Sequence, residues 1–204
     1  NKDIDRDKSF NESDFKKFLA ALNILYGEKF YMLALIQYYE ALRISEAYAV
    51  HYRDFHISEN PFDSYVEIKR SVVFTHTSKK RSYIQNGFKN NRTKELPLIP
   101  EVWIYLRNNL DKYKDRFLFI EDGIQEYHNI QRAYNNAFKF AALPYSATHI
   151  LRHGGASRIF NLSGGNIICA SQLLGNTQQE TIKTYAHPYK NTLQNELKKI
   201  YSES

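Results

Sequence analysis

The sequence predicts a mainly α-helical domain with a small antiparallel β-sheet set into its middle, an α+β class. Three observations predict it. Apolar residues recur at helical spacing near both ends of the chain, as in Phe15, Phe18, Leu19 and Leu22. Between them, Tyr65 to Thr75 alternates and is rich in β-branched side chains. Asn86-Gly87 and Asn90-Asn91 then supply the turn chemistry of hairpins. A chain of 204 residues, 43% hydrophobic and 25% charged, is large enough to bury a core without covalent staples. No apolar run approaches the ~20 residues that cross a bilayer, which argues against a membrane span.

Asn11 is a suitable N-cap for a helix over Glu12 to Leu22, and Gly27 ends that run. Glu28 to Ala41 reads as a largely buried helix, followed by a short one from Ser45 to Val50. Arg43 then stands at a junction between helices. Tyr65 to Thr75, Ser82 to Gln85 and Lys94 to Ile99 read as about three strands of one sheet, with Pro97 marking an edge or a strand end. Helices follow over Pro100 to Leu110, Glu126 to Ala141, Thr148 to Phe160 and Asn166 to Leu174, the last closed by Gly175. Thr177-Gln178-Gln179-Glu180 has the capping-box form, so another helix begins there and ends near Tyr185. Pro188 stops it, and Asn191 to Tyr201 is a final amphipathic helix.

Net charge is +6, from 28 Lys and Arg against 22 Asp and Glu, a modest bias toward anionic partners. Clustering says more than the total. Lys79-Lys80-Arg81 and Lys89-Asn90-Asn91-Arg92-Thr93-Lys94 fall in the hairpin region, where they read either as a solvated tip or as contacts to a phosphate backbone. Cys169 is the only cysteine, so no internal disulfide forms; its apolar surroundings suggest a buried thiol. Met32 is the only methionine, so the chain is expected to be a piece of a longer protein or a processed form.

The chemistry-bearing residues come in a fixed order. Leu42-Arg43-Ile44-Ser45-Glu46 places an arginine and an acid one helical turn apart. Lys89 stands eight residues before Pro97. His149 and Arg152, at i and i+3, share a helix face and could meet one anion. Leu174-Gly175-Asn176 follows, and then Tyr185-Ala186-His187. His149 and His153, at i and i+4, could instead hold a zinc ion, but no third ligand stands out nearby.

This ordered set resembles the catalytic domain of tyrosine recombinases, the group of phage integrases and Xer-type recombinases. The resemblance covers about Ser9 to Tyr201 and rests on the order and spacing of the parts, none of which is specific alone. It implies one catalytic domain over residues 1–204, without the N-terminal helical domain that normally completes a DNA clamp. It implies that Arg43 and Arg152 grip a nonbridging phosphate oxygen. Glu46 orients them and His149 manages a proton near the attacking oxygen. Lys89 protonates the leaving 5′-oxygen, with Arg92 and Lys94 as rivals. Tyr185 is the nucleophile that forms a 3′-phosphotyrosyl bond. His153 is expected to be a helix-packing or supporting residue, and the charge clusters make Lys79, Lys80, Arg81, Arg92 and Lys94 candidate DNA contacts.

The resemblance further implies double-stranded DNA with a specific recombination site as partner. Four protomers act together on DNA, and residues 191–204 could dock on a neighbouring protomer. Neither cofactor nor metal is implied, because the phosphodiester energy is conserved in the covalent link. The expected setting is the cytoplasm of a prokaryote. One residue departs from the family's pattern: Asn176 stands where His or Trp usually follows Leu-Gly, and the spacing from Arg152 is one residue longer. That departure leaves a catalytically impaired DNA binder as an alternative, and the shared chemistry leaves a type IB topoisomerase or telomere resolvase.

Overall fold

The computed structural model describes residues 10–75, 81–87, 93–120, 123–124, 127–175 and 177–185, with 183–185 described as backbone only. The chain divides into two compact units, Asn1–Gly155 and Ala156–Ser204.

In the first unit, helix α1 (Glu12–Tyr26) starts where the sequence places it, with the Asn11 side chain accepting from the Asp14 amide at 2.9 Å. It runs past Leu22 because nothing before Gly27 (φ 78°) breaks a helix. Helix α2 (Glu28–Tyr39) is buried at every position from Met32 to Tyr39, which makes it the central helix. Phe15 of α1 stacks on Tyr38 of α2 at 3.7 Å between ring centroids. Phe18 stacks on Phe138 of helix α5 (Tyr127–Phe140) at 4.2 Å. These three helices form an aromatic-rich core.

Helix α2 stops at Tyr39, two residues short of expectation. The Ala41 amide donates to the Tyr38 carbonyl and the Leu42 amide to the Gln37 carbonyl. Ala41 itself takes φ +48°. This is the Schellman arrangement, made with alanine where glycine is usual, at a cost of about 1–2 kcal/mol in backbone strain. The one-turn helix α3 (Ile44–Tyr48) follows at once.

The β region differs from the single sheet that the sequence suggests. Strands β1 (Phe55–His56), β2 (Tyr65–Ile68) and β5 (Lys94–Pro97) form one antiparallel sheet in the order β1-β2-β5. Strands β3 (Arg70–Val73) and β4 (Tyr83–Asn86) form a separate antiparallel pair. The expected run from Tyr65 to Thr75 changes partner at Lys69, whose carbonyl accepts from the Gly87 amide at 2.7 Å. Strand β1 has only two residues, too few to show a period in sequence. Helix α4 (Pro100–Asn109) starts on Pro100 as expected.

Helix α6 (His149–Leu162) begins in the first unit and continues into the second. There, α7 (Ile167–Leu174) is capped by the Asn166 side chain and ends at Gly175 in the left-handed region. The expected capping box opens α8 (Gln178–Tyr185). Thr177 N–H donates to Glu180 Oε2 at 2.9 Å, and the Glu180 amide donates to Thr177 Oγ1 at 3.2 Å. Cys169 is exposed, not buried, because α7 turns Ala170, Ser171, Leu173 and Leu174 inward. Among the described residues no helix is long and apolar enough to cross a membrane.

Candidate functional site

The site is built where the end of α2 meets the start of α6. The Ala41 turn places Arg43 at the N-cap of α3 and Glu46 one turn further on. The Glu46 carboxylate accepts from the Arg43 backbone amide at 2.8 Å through Oε2 and from Arg43 Nη1 at 2.9 Å through Oε1. Oε2 also faces Arg152 Nη1 at 3.5 Å. One buried carboxylate, its side chain 4% exposed, therefore orients two arginines. The two differ in access: the Arg152 side chain is 9% exposed and that of Arg43 is 55% exposed.

Arg152 is held a second way. Its Nη1 donates at 3.0 Å to the carbonyl of Ala41, the same residue that takes the strained left-handed conformation. That reach depends on how closely α6 lies against α2. A Cβ on Gly155 would overlap the Tyr38 carbonyl oxygen, and one on Gly154 would stand 2.8 Å from the Phe10 carbonyl. Hydrogen at Gly155 lets the backbones of α6 and α2 meet, and hydrogen at Gly154 leaves room for the Phe10 carbonyl and the Tyr38 ring. Gly154-Gly155 is therefore part of the site's construction, a role visible only once α6 is seen against α2.

The start of α6 is fixed by a buried polar chain. Gln37 Nε2 donates to the Thr148 carbonyl at 2.9 Å, and Tyr134 Oη donates to Gln37 Oε1 at 3.1 Å. The Tyr127 and Thr148 hydroxyls are 2.8 Å apart. Ala147, just before the helix, sits at φ +75° with its amide donating to Asn135 Oδ1. The first residue of this anchored helix is His149, with an exposed ring. Its edge meets His153 at 5.7 Å between centroids and 90° between planes. The His153 imidazole is held below its ordinary pKa by partial burial, then by His149 and Arg152. Among the described residues no third Cys, His, Asp or Glu joins these histidines to make a metal group.

Lys94 completes the arrangement in a way that the sequence reading missed. It was expected to contact DNA from the hairpin, yet its Nζ is buried. Burial pushes it down to about 8, opposed by Glu46 and reinforced by Arg152 and Arg43. The signal was in the period of β5: residues 94, 96 and 98 share a side, and Leu96 and Leu98 are apolar. Glu40, the C-cap of α2, is a further buried ionisable group here, and burial raises it to about 8. Its Oε1 accepts from the Ile99 amide at 2.9 Å.

The structure thus brings Arg43, Glu46, Arg152 and Lys94 together, with His149 and His153 on the helix that carries Arg152. Arg81 is exposed just before β4. Tyr185 is the last residue of α8, placed as backbone in the second unit. Lys79, Lys80, Lys89, Arg92, Asn176 and the segment 191–204 lie outside the described residues. An arginine pair organised by one carboxylate can bind a tetrahedral oxyanion through several charge-assisted hydrogen bonds.

Neither a protein-family model nor a curated protein matches the chain. Solved structures do. The integrase of transposon Tn1549, solved in complex with transposon right end DNA, superposes with a TM-score of 0.70 at 16% identity. The match covers 94% of this chain and 65% of the Tn1549 chain. The catalytic domain of bacteriophage HP1 integrase gives 0.61 at 21% identity, covering 92% of this chain and 91% of that one. XerH site-specific recombinase, bound to its difH substrate, gives 0.68 at 17% identity, covering 92% and 52%. The chain has the tyrosine recombinase catalytic-domain fold. It spans about two thirds of the Tn1549 integrase chain and about half of XerH, and nearly all of the isolated HP1 domain. The α+β expectation, including the resemblance to this fold, therefore holds at the level of architecture.

Proposed function

We propose that this chain is the catalytic domain of a site-specific DNA recombinase or integrase that cleaves and rejoins DNA through Tyr185. The observation that carries the reading is the Glu46-organised pair of Arg43 and Arg152, found in a fold shared with integrases and recombinases solved on DNA. In this reading the two arginines bind the nonbridging oxygens of the scissile phosphate and stabilise the charge that builds in the transition state. The phenol of Tyr185 loses its proton with help from His149 and attacks phosphorus. A tyrosyl–phosphorus bond forms at the 3′ side, the bond to the 5′-oxygen breaks, and Lys89 protonates that oxygen. Rejoining reverses the step on a second duplex. Asn176 donates a neutral hydrogen bond to phosphate. Lys79, Lys80, Arg81 and Arg92 contact the backbone of the duplex, and four protomers assemble on two sites, with residues 191–204 docking on a neighbour. The setting is prokaryotic.

The test is a pool of nicked duplexes that lose a short oligonucleotide on cleavage and so trap the intermediate. The wild-type chain should give a protein–DNA adduct that survives denaturing electrophoresis, and Tyr185→Phe should give none. An adduct that persists in Tyr185→Phe removes Tyr185 from its role.

A further inference from the structure

Lys94 has no part in the chemistry just described, yet the fold places it with care. It faces inward beside Leu96, opposite Ile68, residues 3% and 1% exposed. Its Nζ is buried and has no hydrogen-bond partner among the described residues. Glu40 is fully buried, and its Oε2 has none either. An ammonium with open donors and a carboxyl with an open oxygen both weaken a core, so the presence of both in one core asks for a reason other than stability. Lys94 lies within electrostatic range of Glu46, Arg152, Arg43 and Glu40.

We propose that Lys94, supported by Glu40, is a positioning residue of the phosphate clamp: its buried charge deepens the positive field in which Arg43 and Arg152 hold an anion. This inference rests on the reading of Arg43 and Arg152 as that clamp. The groups that face Lys94 are Glu46 and Arg43 from α3, Arg152 from α6, and Glu40 from the end of α2; Glu101 of α4 acts on Glu40. Glu46 is already shared by Arg43 and Arg152, so it does not neutralise the lysine as well. With Lys94 charged and Glu40 protonated, Arg43, Arg152 and Lys94 stand against Glu46 alone, and the cluster is strongly cationic. With Lys94 neutral and Glu40 ionised, two arginines stand against two carboxylates and the cationic field is gone. Both groups lie near 8, so the change from one state to the other falls on the alkaline side of neutrality.

The probe is inorganic sulfate, whose charge is constant over this range, read on the whole chain as the sulfate-dependent rise in Tm. Arg43→Ala supplies the baseline for the general stabilising action of sulfate. Wild-type affinity should fall about tenfold between about pH 7 and about pH 9. Lys94→Arg should keep the neutral-pH affinity and shrink the fall with pH, and Lys94→Met should bind about tenfold more weakly at pH 7, also with a smaller fall than the wild type. If Lys94→Met does not fold, the Lys94→Arg profile decides, and a fall like the wild type's overturns the proposal. Wild-type affinity and profile in Lys94→Met, with binding lost in Arg43→Ala, overturn the role of Lys94 and leave the clamp standing. Sulfate binding that survives Arg43→Ala overturns the clamp reading and the role of Lys94 together.

Discussion

Glu46→Gln is the substitution that most directly tests how the site is held. It keeps the shape of the side chain and removes the carboxylate that Arg43 and Arg152 share. The glutamine oxygen can still accept from one donor, but its NH2 group then points at the other arginine. The Arg43 side chain is 55% exposed, so loss of its ion pair is screened and costs up to about 1 kcal/mol. The Arg152 side chain is 9% exposed. Stranding a buried charge costs about 3–5 kcal/mol in full, but the 3.5 Å separation and the other contacts of Arg152, the bond to the Ala41 carbonyl among them, argue for about 2 kcal/mol. The expected loss is therefore about 2–3 kcal/mol, or a Tm lower by roughly 4–12 °C for a domain of this size. Urea denaturation with an unchanged m-value gives the figure. In a double-mutant cycle with Arg152→Met, the coupling should exceed about 1 kcal/mol. A loss under about 0.5 kcal/mol, or additive single effects, would mean that Glu46 does not hold Arg152.

Three other outcomes are expected. Gly155→Ala should cost about 3 kcal/mol or more, because the added methyl overlaps the Tyr38 carbonyl oxygen and backbone must move; a Tm within about 2 °C of wild type contradicts the close approach of α6 to α2. Glu40→Gln should have a pH-dependent effect. The folded carboxyl is raised from 4.5 to about 8, so the stability it contributes is full below about pH 4.5 and lost as pH rises through about 8. Glutamine escapes that loss. Urea midpoints of wild type and variant should therefore agree near pH 4.5 and separate in favour of glutamine by more than about 1 kcal/mol near pH 8, whereas equal midpoints throughout contradict a buried neutral carboxyl. Asn176→His should raise the rate of adduct formation about 10- to 100-fold by restoring a chargeable donor; no gain means that Asn176 already serves fully.

Much of this was legible in the sequence where local rules decide. Asn11 as N-cap, the Thr177–Glu180 capping box, Pro100 at the start of α4 and Gly175 at the end of α7 stand where spacing placed them. The pairing of Arg43 with Glu46 follows from one turn of helix. What escaped depends on contacts distant in sequence. The strand over Tyr65 to Thr75 keeps its alternation but changes partner at Lys69, which no period reveals. Ala41 takes a glycine-like conformation at a turn whose carbonyl accepts from Arg152, far along the chain. Gly154 and Gly155 read as weak helix residues until α2 is placed against them. Lys94 was read by its charge, although the period of its strand points it inward beside Leu96.

The central claim is that Tyr185 becomes covalently joined to a 3′-phosphate. The most direct measurement is to trap the adduct on a suicide duplex carrying its label at either end of the cut strand, then map the modified peptide by mass spectrometry. The 5′-labelled fragment should travel with the protein, and the nucleotide should sit on Tyr185. A 3′-labelled adduct, or modification of another tyrosine such as Tyr189, would contradict it.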